Sequence, residues 1–134
     1  MNVEVVASIA AALFGALALF QIALALGAPA GEYVFGGRIA TEEGRLPGSY
    51  RIGAAVAAVV LCAFALIILA RAGVIETSLG ERFLTIASWA VVAYMAINTA
   101  MNLAGKTKVE RYGFSAVTGI LVVLCSIVAA SGPA

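Results

Sequence analysis

The sequence predicts an all-α, polytopic membrane protein: an up-and-down four-helix transmembrane bundle that forms one domain. Of its 134 residues, 63% are hydrophobic and 11% charged, with a mean hydropathy of +1.09. Soluble domains are about 45–50% apolar and about 25% charged. The apolar residues also form four segments of the length, about 20 residues, that a helix needs to cross about 30 Å of hydrocarbon. These segments are Val3–Leu26, Ile52–Ala70, Phe83–Ala104 and Phe114–Ala130.

The first segment is expected to be a retained span and not a signal peptide. Ala28-Pro29-Ala30 resembles a cleavage site, but the preceding N-terminal region carries Glu4 and neither Lys nor Arg. The apolar run is also longer than the usual 7–15 residues of a signal-peptide core. Its small residues Ala7, Ala11 and Gly15 recur every four positions, which predicts a face for close helix packing.

Residues 27–51 form the long connection to the second segment, and glycine and proline at both ends exclude a continuous helix. Within it, Tyr33-Val34-Phe35 is aromatic and β-favouring, which predicts a turn or small hairpin. The same side chains also suit an aromatic anchor at the headgroup level of a bilayer. Both interpretations remain open at this stage.

The second and fourth segments carry few polar side chains and mainly contribute small residues for packing. Gly53 and Ala57 share one face of the second segment, and Ser115 and Gly119 share one face of the fourth. Short connections precede and follow the third segment, so consecutive helices are predicted to be antiparallel neighbours.

The third segment carries the polar residues that serve best as functional candidates, because polar groups at membrane depth are costly. Tyr94, Asn98 and Asn102 recur every four residues and share one face of this helix. Gln21 of the first segment lies about 9 Å from its helix end and Asn98 about 10 Å from its own, so both are predicted at similar depth. The candidate ligand-binding residues are Gln21, Glu32, Tyr33, Trp89, Tyr94, Asn98 and Asn102.

Two interpretations fit these residues. In the first, the amides line a pocket for a neutral headgroup or small amphipathic molecule, Trp89 and Tyr94 form aromatic walls, and Glu32 and Tyr33 cover the region. In the second, Gln21, Asn98 and Asn102 bond one another across the helices, as polar side chains in membrane bundles often do.

Charge placement predicts the orientation in the membrane. The eight Lys and Arg residues divide six against two between the two sides of a four-span chain. The richer side holds the first and third loops, with Arg38, Arg45, Arg51, Lys106, Lys108 and Arg111. By the positive-inside rule, these loops are expected in the cytoplasm and both termini outside it.

Several function classes lack the residues that they need. The chain contains no His and no Asp, and Cys62 and Cys125 do not form a CxxC pair, so neither a metal nor a cofactor is expected. Catalysis is disfavoured because no span holds an acid–base pair, which leaves only an enzyme acting on an apolar substrate. No basic tract points to nucleic acid. A small transporter or channel subunit stays an alternative, although the central glutamate of small multidrug transporters is absent from the first span.

The run Gln-Ile-Ala-Leu-Ala-Leu-Gly-Ala-Pro at 21–29, with Gly-Glu-Tyr at 31–33 and Phe-Gly-Gly at 35–37, resembles small uncharacterised four-span proteins of high-GC bacteria. This resemblance implies the bacterial inner membrane, but it implies no activity and no functional residues. We therefore expect a non-catalytic protein that binds membrane lipid or a small amphipathic ligand, or an accessory or scaffold subunit. Its expected protein partners are further copies of itself or a larger membrane protein.

Overall fold

Four long helices make up most of the chain in the computed structural model, which describes residues 2–34, 37 and 39–133. Between α1 and α2 lies a 3₁₀ turn, Gly31–Tyr33, and a π-helical turn, Val109–Phe114, leads directly into the last helix. The long helices are α1 Val3–Ala25, α2 Gly48–Arg71, α3 Glu81–Leu103 and α4 Ser115–Ser131.

All four helices, with the fourth counted from Val109, are long and apolar enough to cross a membrane. Their outward-facing side chains are large and apolar: Leu19, Val59, Ile97 and Val123 are each more than half exposed. A surface of this kind suits hydrocarbon and not water. The predicted fold class, an all-α bundle of four membrane-spanning helices, is confirmed.

The helices form a ring in chain order. The most extensive packing joins α1 to α2 and α3 to α4, while α1–α4 and α2–α3 contacts close the ring. α2 and α4 also touch across the centre, which leaves α1 and α3 at opposite corners. Helices one and three therefore face the bundle axis from opposite sides.

Local sequence explains where the first two helices begin and end. The Asn2 side chain accepts the N–H of Glu4 at 2.9 Å and so caps the start of α1. At the other end Gly27 adopts φ +101, and the N–H of Ala28 donates to the carbonyl of Ala23 at 2.9 Å. Gly73, with φ +82, ends α2 in the same way. Both are Schellman ends, in which glycine supplies the left-handed residue.

Small residues let the helices approach closely around one apolar cluster. Ala7 and Ala10 of α1 are fully buried in this cluster, and Ala58 of α2 is 5% exposed. The Phe14 ring of α1 meets Phe64 of α2 edge-on, with 6.0 Å between centroids. Because lipid gives no hydrophobic drive for helix association, this close packing is a main source of cohesion.

Three arginines bind the carbonyl groups that helix ends leave unpaired. Nε of Arg51 donates to the Ala25 carbonyl at 2.9 Å, at the end of α1. Nη2 of Arg71 donates to the Ala129 carbonyl of α4 at 2.8 Å, and Nε of Arg111 donates to the Gly105 carbonyl, just after α3, at 3.0 Å. Each cation meets the negative end of a helix dipole.

The sequence predicts a turn or small hairpin at Tyr33-Val34-Phe35, and the structure has a turn that ends at the first of these residues. Tyr33 ends the 3₁₀ turn, and Phe35 lies outside the described residues. The paired turn is found later, where Glu42 and Arg45 exchange backbone hydrogen bonds of 3.0 and 2.9 Å. Glu43 and Gly44 both have positive φ, as a two-residue type I′ turn requires. The Glu43-Gly44 pair therefore forms the tip of the hairpin that the structure describes.

Replacing Arg71 is expected to destabilise the fold. The Arg71 side chain is 7% exposed, so Arg71→Met would leave the buried carbonyl of Ala129 without its donor. We expect a loss of about 1–3 kcal/mol in the free energy of unfolding, measured by denaturant titration in mixed micelles. The exposed Arg82 near the same end of the bundle gives the matched control, Arg82→Met, for which we expect a change within about 0.5 kcal/mol. Equal losses in both variants would contradict the capping role.

Candidate functional site

The inner face of α3 changes from apolar to polar in its last turns. Leu84, Ser88, Val91 and Met95 are its buried residues, at alternating spacings of four and three. The next positions in this series are Asn98 and Asn102, and both are half-buried. Their amides therefore continue the core-facing stripe and do not face lipid.

The first helix carries one polar residue, Gln21, near the same end of the bundle. Gln21 follows the buried positions Ala10, Phe14 and Ala18, and the next buried position, Leu24, is apolar again. Gln21 is half-buried, but its Oε1 atom is enclosed and has no hydrogen-bond partner among the described residues. A buried carbonyl oxygen without a donor costs about 1–3 kcal/mol. Nε of Arg71 and Oγ of Ser88 are also buried without a hydrogen-bond partner among the described residues, but Gln21 is the one of the three that lies at the end of the bundle where the asparagines lie.

The fourth helix contributes a hydroxyl group at this end. Thr118 is buried, and its Oγ1 lies 2.9 Å from Oγ1 of Thr99 on α3, so the two hydroxyls join these helices. The Thr118 hydroxyl also lies within hydrogen-bonding distance, 2.9 Å, of the carbonyl of Phe114. We call the set Gln21, Asn98, Thr99, Asn102 and Thr118 the polar layer.

The amides do not form the direct link between helices that one interpretation of the sequence offered. Instead, Nδ2 of Asn102 donates to Oδ1 of Asn98 at 3.1 Å, one turn apart on the same helix. No bond from either asparagine to Gln21 occurs among the described residues. Because α1 and α3 stand at opposite corners, their amides face the axis from opposite sides.

The two aromatic candidates lie on different faces of α3. Tyr94 is 47% exposed, stands one turn before Asn98, and meets the Phe64 ring at 5.0 Å between centroids. Trp89 is 44% exposed and lies about 140° away around the helix axis. Tyr94 therefore neighbours the polar layer along its helix, whereas Trp89 does not share that face.

Glu32 and Tyr33 lie in the 3₁₀ turn, after the end of α1. The Gly31 N–H donates to the Gly44 carbonyl at 2.8 Å, which joins this turn to the hairpin. Hydrogen bonding to the Glu32 carboxylate, and then the negative charge of that group, raises the pKa of the Tyr33 hydroxyl above its ordinary value. A Cβ built on Gly37 would lie 3.5 Å from Cβ of Lys106, so the first and third loops meet.

The structure buries one charged residue that sequence analysis does not predict. Glu110, in the π-helical turn, is only 2% exposed, and its backbone N–H donates to Oγ1 of Thr107 at 3.3 Å. Its carboxylate packs against Gly105 so closely that any Cβ at that glycine would overlap Oε2. In the sequence, Glu110 stands in a polar, charged connection that is typical of solvent-exposed loops. Only the π turn, a feature frequent at functional sites, directs it inward.

No family model, curated protein or solved structure matches this chain. Among the residues that the structure describes, no three His, Cys, Asp or Glu side chains come together as metal ligands. The fold alone defines the class of protein, a multi-pass helical membrane protein. The inner face of α3 turns polar at one end of the bundle.

The Glu32–Tyr33 contact has a measurable consequence for titration. Because the pKa of Tyr33 is raised, phenolate formation is expected above the ordinary value of about 10. Glu32→Gln should move phenolate formation at Tyr33 to lower pH. Ultraviolet titration measures this transition, and the titration of Tyr33→Phe is subtracted to remove the signal of the other tyrosines. Any stability from this contact is present below about pH 10 and is lost as pH rises through the folded-state pKa. An unchanged Tyr33 transition in Glu32→Gln would contradict the assignment.

Proposed function

We propose that this chain is a non-catalytic membrane protein that binds a small amphipathic or lipid-like molecule at the polar layer. The observation that carries the proposal is the enclosed Oε1 of Gln21, which has no donor among the described residues. A ligand hydroxyl or N–H would satisfy it and recover the cost of about 1–3 kcal/mol.

The remaining hydrogen-bonding capacity of the layer supports the same conclusion. The Asn102–Asn98 bond uses one donor of one amide and one acceptor of the other. Each carboxamide offers two donors and an oxygen with two lone pairs, so further bonds can be made to a ligand. Because carboxamides and hydroxyls carry no charge, the layer favours a neutral polar head over an ionic one.

The rest of the interior favours binding over conduction. Away from the polar layer, large apolar side chains fill the bundle, and Phe14, Ile68, Met95 and Leu121 are essentially inaccessible. A closely packed apolar interior of this kind opposes the passage of ions and polar solutes. The apolar part of an amphipathic ligand would lie against the bundle and the surrounding lipid.

For localisation we propose the bacterial inner membrane, with the first and third loops in the cytoplasm and both termini outside it. The proposal rests on the six-to-two division of Lys and Arg and on the positive-inside rule. The contact between Gly37 and Lys106 supports placing these two loops on one side. The polar layer would then lie in the cytoplasmic half of the membrane.

Removing either amide should abolish binding. We expect a small molecule that co-purifies with the parent in mild detergent, seen by native mass spectrometry, to be lost in Gln21→Leu and in Asn98→Leu. Ile97→Leu changes an exposed neighbour on α3 and should retain the molecule. Gln21→Leu should also leave the ligand-free fold no less stable, because it removes the unpaired oxygen. A molecule bound equally by all four proteins would place the site elsewhere.

Cysteine labelling tests the orientation. In a background of Cys62→Ala and Cys125→Ala, a membrane-impermeant maleimide added to intact cells should label Ser78→Cys but not Ala40→Cys. Both positions are exposed at the molecular surface, in the second and first loops respectively. After lysis both should react, which controls for accessibility. Labelling of Ala40→Cys from outside, without Ser78→Cys, would reverse the orientation.

A further inference from the structure

Three cations stand close together in the third loop and the turn that follows it. Lys106, Lys108 and Arg111 are all exposed. The acidic residue between Lys108 and Arg111, Glu110, is 2% exposed, so its carboxylate is withdrawn from the protein surface, whereas the three cations are exposed. Among the described residues, the one ion pair joins Arg71 to Glu81 and lies outside this loop. We call Lys106, Lys108 and Arg111 the basic patch.

Hydrogen bonds hold the backbone of the patch in one conformation. Nε of Arg111 donates to the Gly105 carbonyl at 3.0 Å, and the Arg111 N–H donates to the Thr107 carbonyl at 3.1 Å. The first bond uses Nε alone, so the two Nη nitrogens of Arg111 remain available to an acceptor. The loop therefore presents its cations from a pre-organised backbone, which lowers the entropic cost of binding.

Exposed apolar side chains border the patch. Val109 is 44% and Tyr112 67% exposed, and Leu103, at the end of α3, is also more than half exposed. Cations beside apolar and tyrosine side chains at a helix end are typical of the boundary between headgroups and hydrocarbon. This composition is the one expected at the depth of the lipid phosphates in a bilayer.

We propose that the basic patch binds the headgroup of an anionic phospholipid from the leaflet that these loops face. Charge complementarity selects the occupant: Lys106 and Lys108 supply point charges, and the free Nη nitrogens of Arg111 can pair with two phosphate oxygens. The lipid chains would lie along Leu103 and Tyr112. This site is chemically distinct from the neutral polar layer and does not depend on a ligand binding there.

The test measures binding of phosphatidylglycerol to the full chain in detergent by native mass spectrometry, with phosphatidylcholine, whose zwitterionic headgroup has no net charge, as the comparison. We expect the parent to prefer phosphatidylglycerol, and Lys106→Gln and Lys108→Gln each to lose about fivefold in affinity, since each cation near a lipid surface contributes about that much. Arg82→Gln, an exposed cation near the opposite end of the bundle, is the matched control and should bind as the parent does.

Arg111 is not varied because its Nε bond supports the loop. The proposal is overturned if phosphatidylglycerol binds no better than phosphatidylcholine, if both lysine variants bind as the parent does, or if Arg82→Gln loses as much affinity as they do. Inorganic phosphate should compete only weakly; full displacement at equal concentration would identify a free-phosphate site and overturn the lipid assignment. Because Gln21 and Asn98 are unchanged in these variants, failure here leaves the polar-layer proposal untouched.

Discussion

The arrangement of the bundle depends on cations that bind helix ends, because burial of apolar surface cannot drive helices together in lipid. Helix α2 carries an arginine at each end: Arg51 holds the end of α1, and Arg71 holds the end of α4. These bonds satisfy backbone carbonyls that would otherwise lack partners in or near the membrane. They also set the positions of α1 and α4 along the axis of α2, so that the inner faces of the helices meet at matching depths.

With the helices in that register, the interior divides into two parts of different chemistry. Alanines allow close contact around Phe14 at one end. The other end carries amides and hydroxyls beside a second apolar cluster around Leu24, and Oε1 of Gln21 has no donor among the described residues. Because α1 and α3 stand at opposite corners of the ring, their amides face a common axis and yet do not pair directly.

The two proposed sites lie at the same end of the bundle and differ in charge. Inside, the polar layer is neutral and suits a hydrogen-bonding head, whereas outside the basic patch suits a phosphate. The burial of Glu110 matters for this division, because it withdraws a negative charge from the surface of a segment in which Lys106 and Lys108 are exposed. The π-helical turn that contains Glu110 therefore shapes the outer site without belonging to it.

Hydropathy and helical length are local properties of the chain, so the four spans can be predicted without a structure. Polar residues at membrane depth are rare for energetic reasons, and this singled out Gln21, Asn98 and Asn102 as candidate site residues. The folded structure sets the order of helices around the ring, the Asn102–Asn98 bond, the hairpin at Glu42–Arg45 and the burial of Glu110. Each of these depends on which segments meet in space, and small residues spaced every four positions allow many pairings without selecting one.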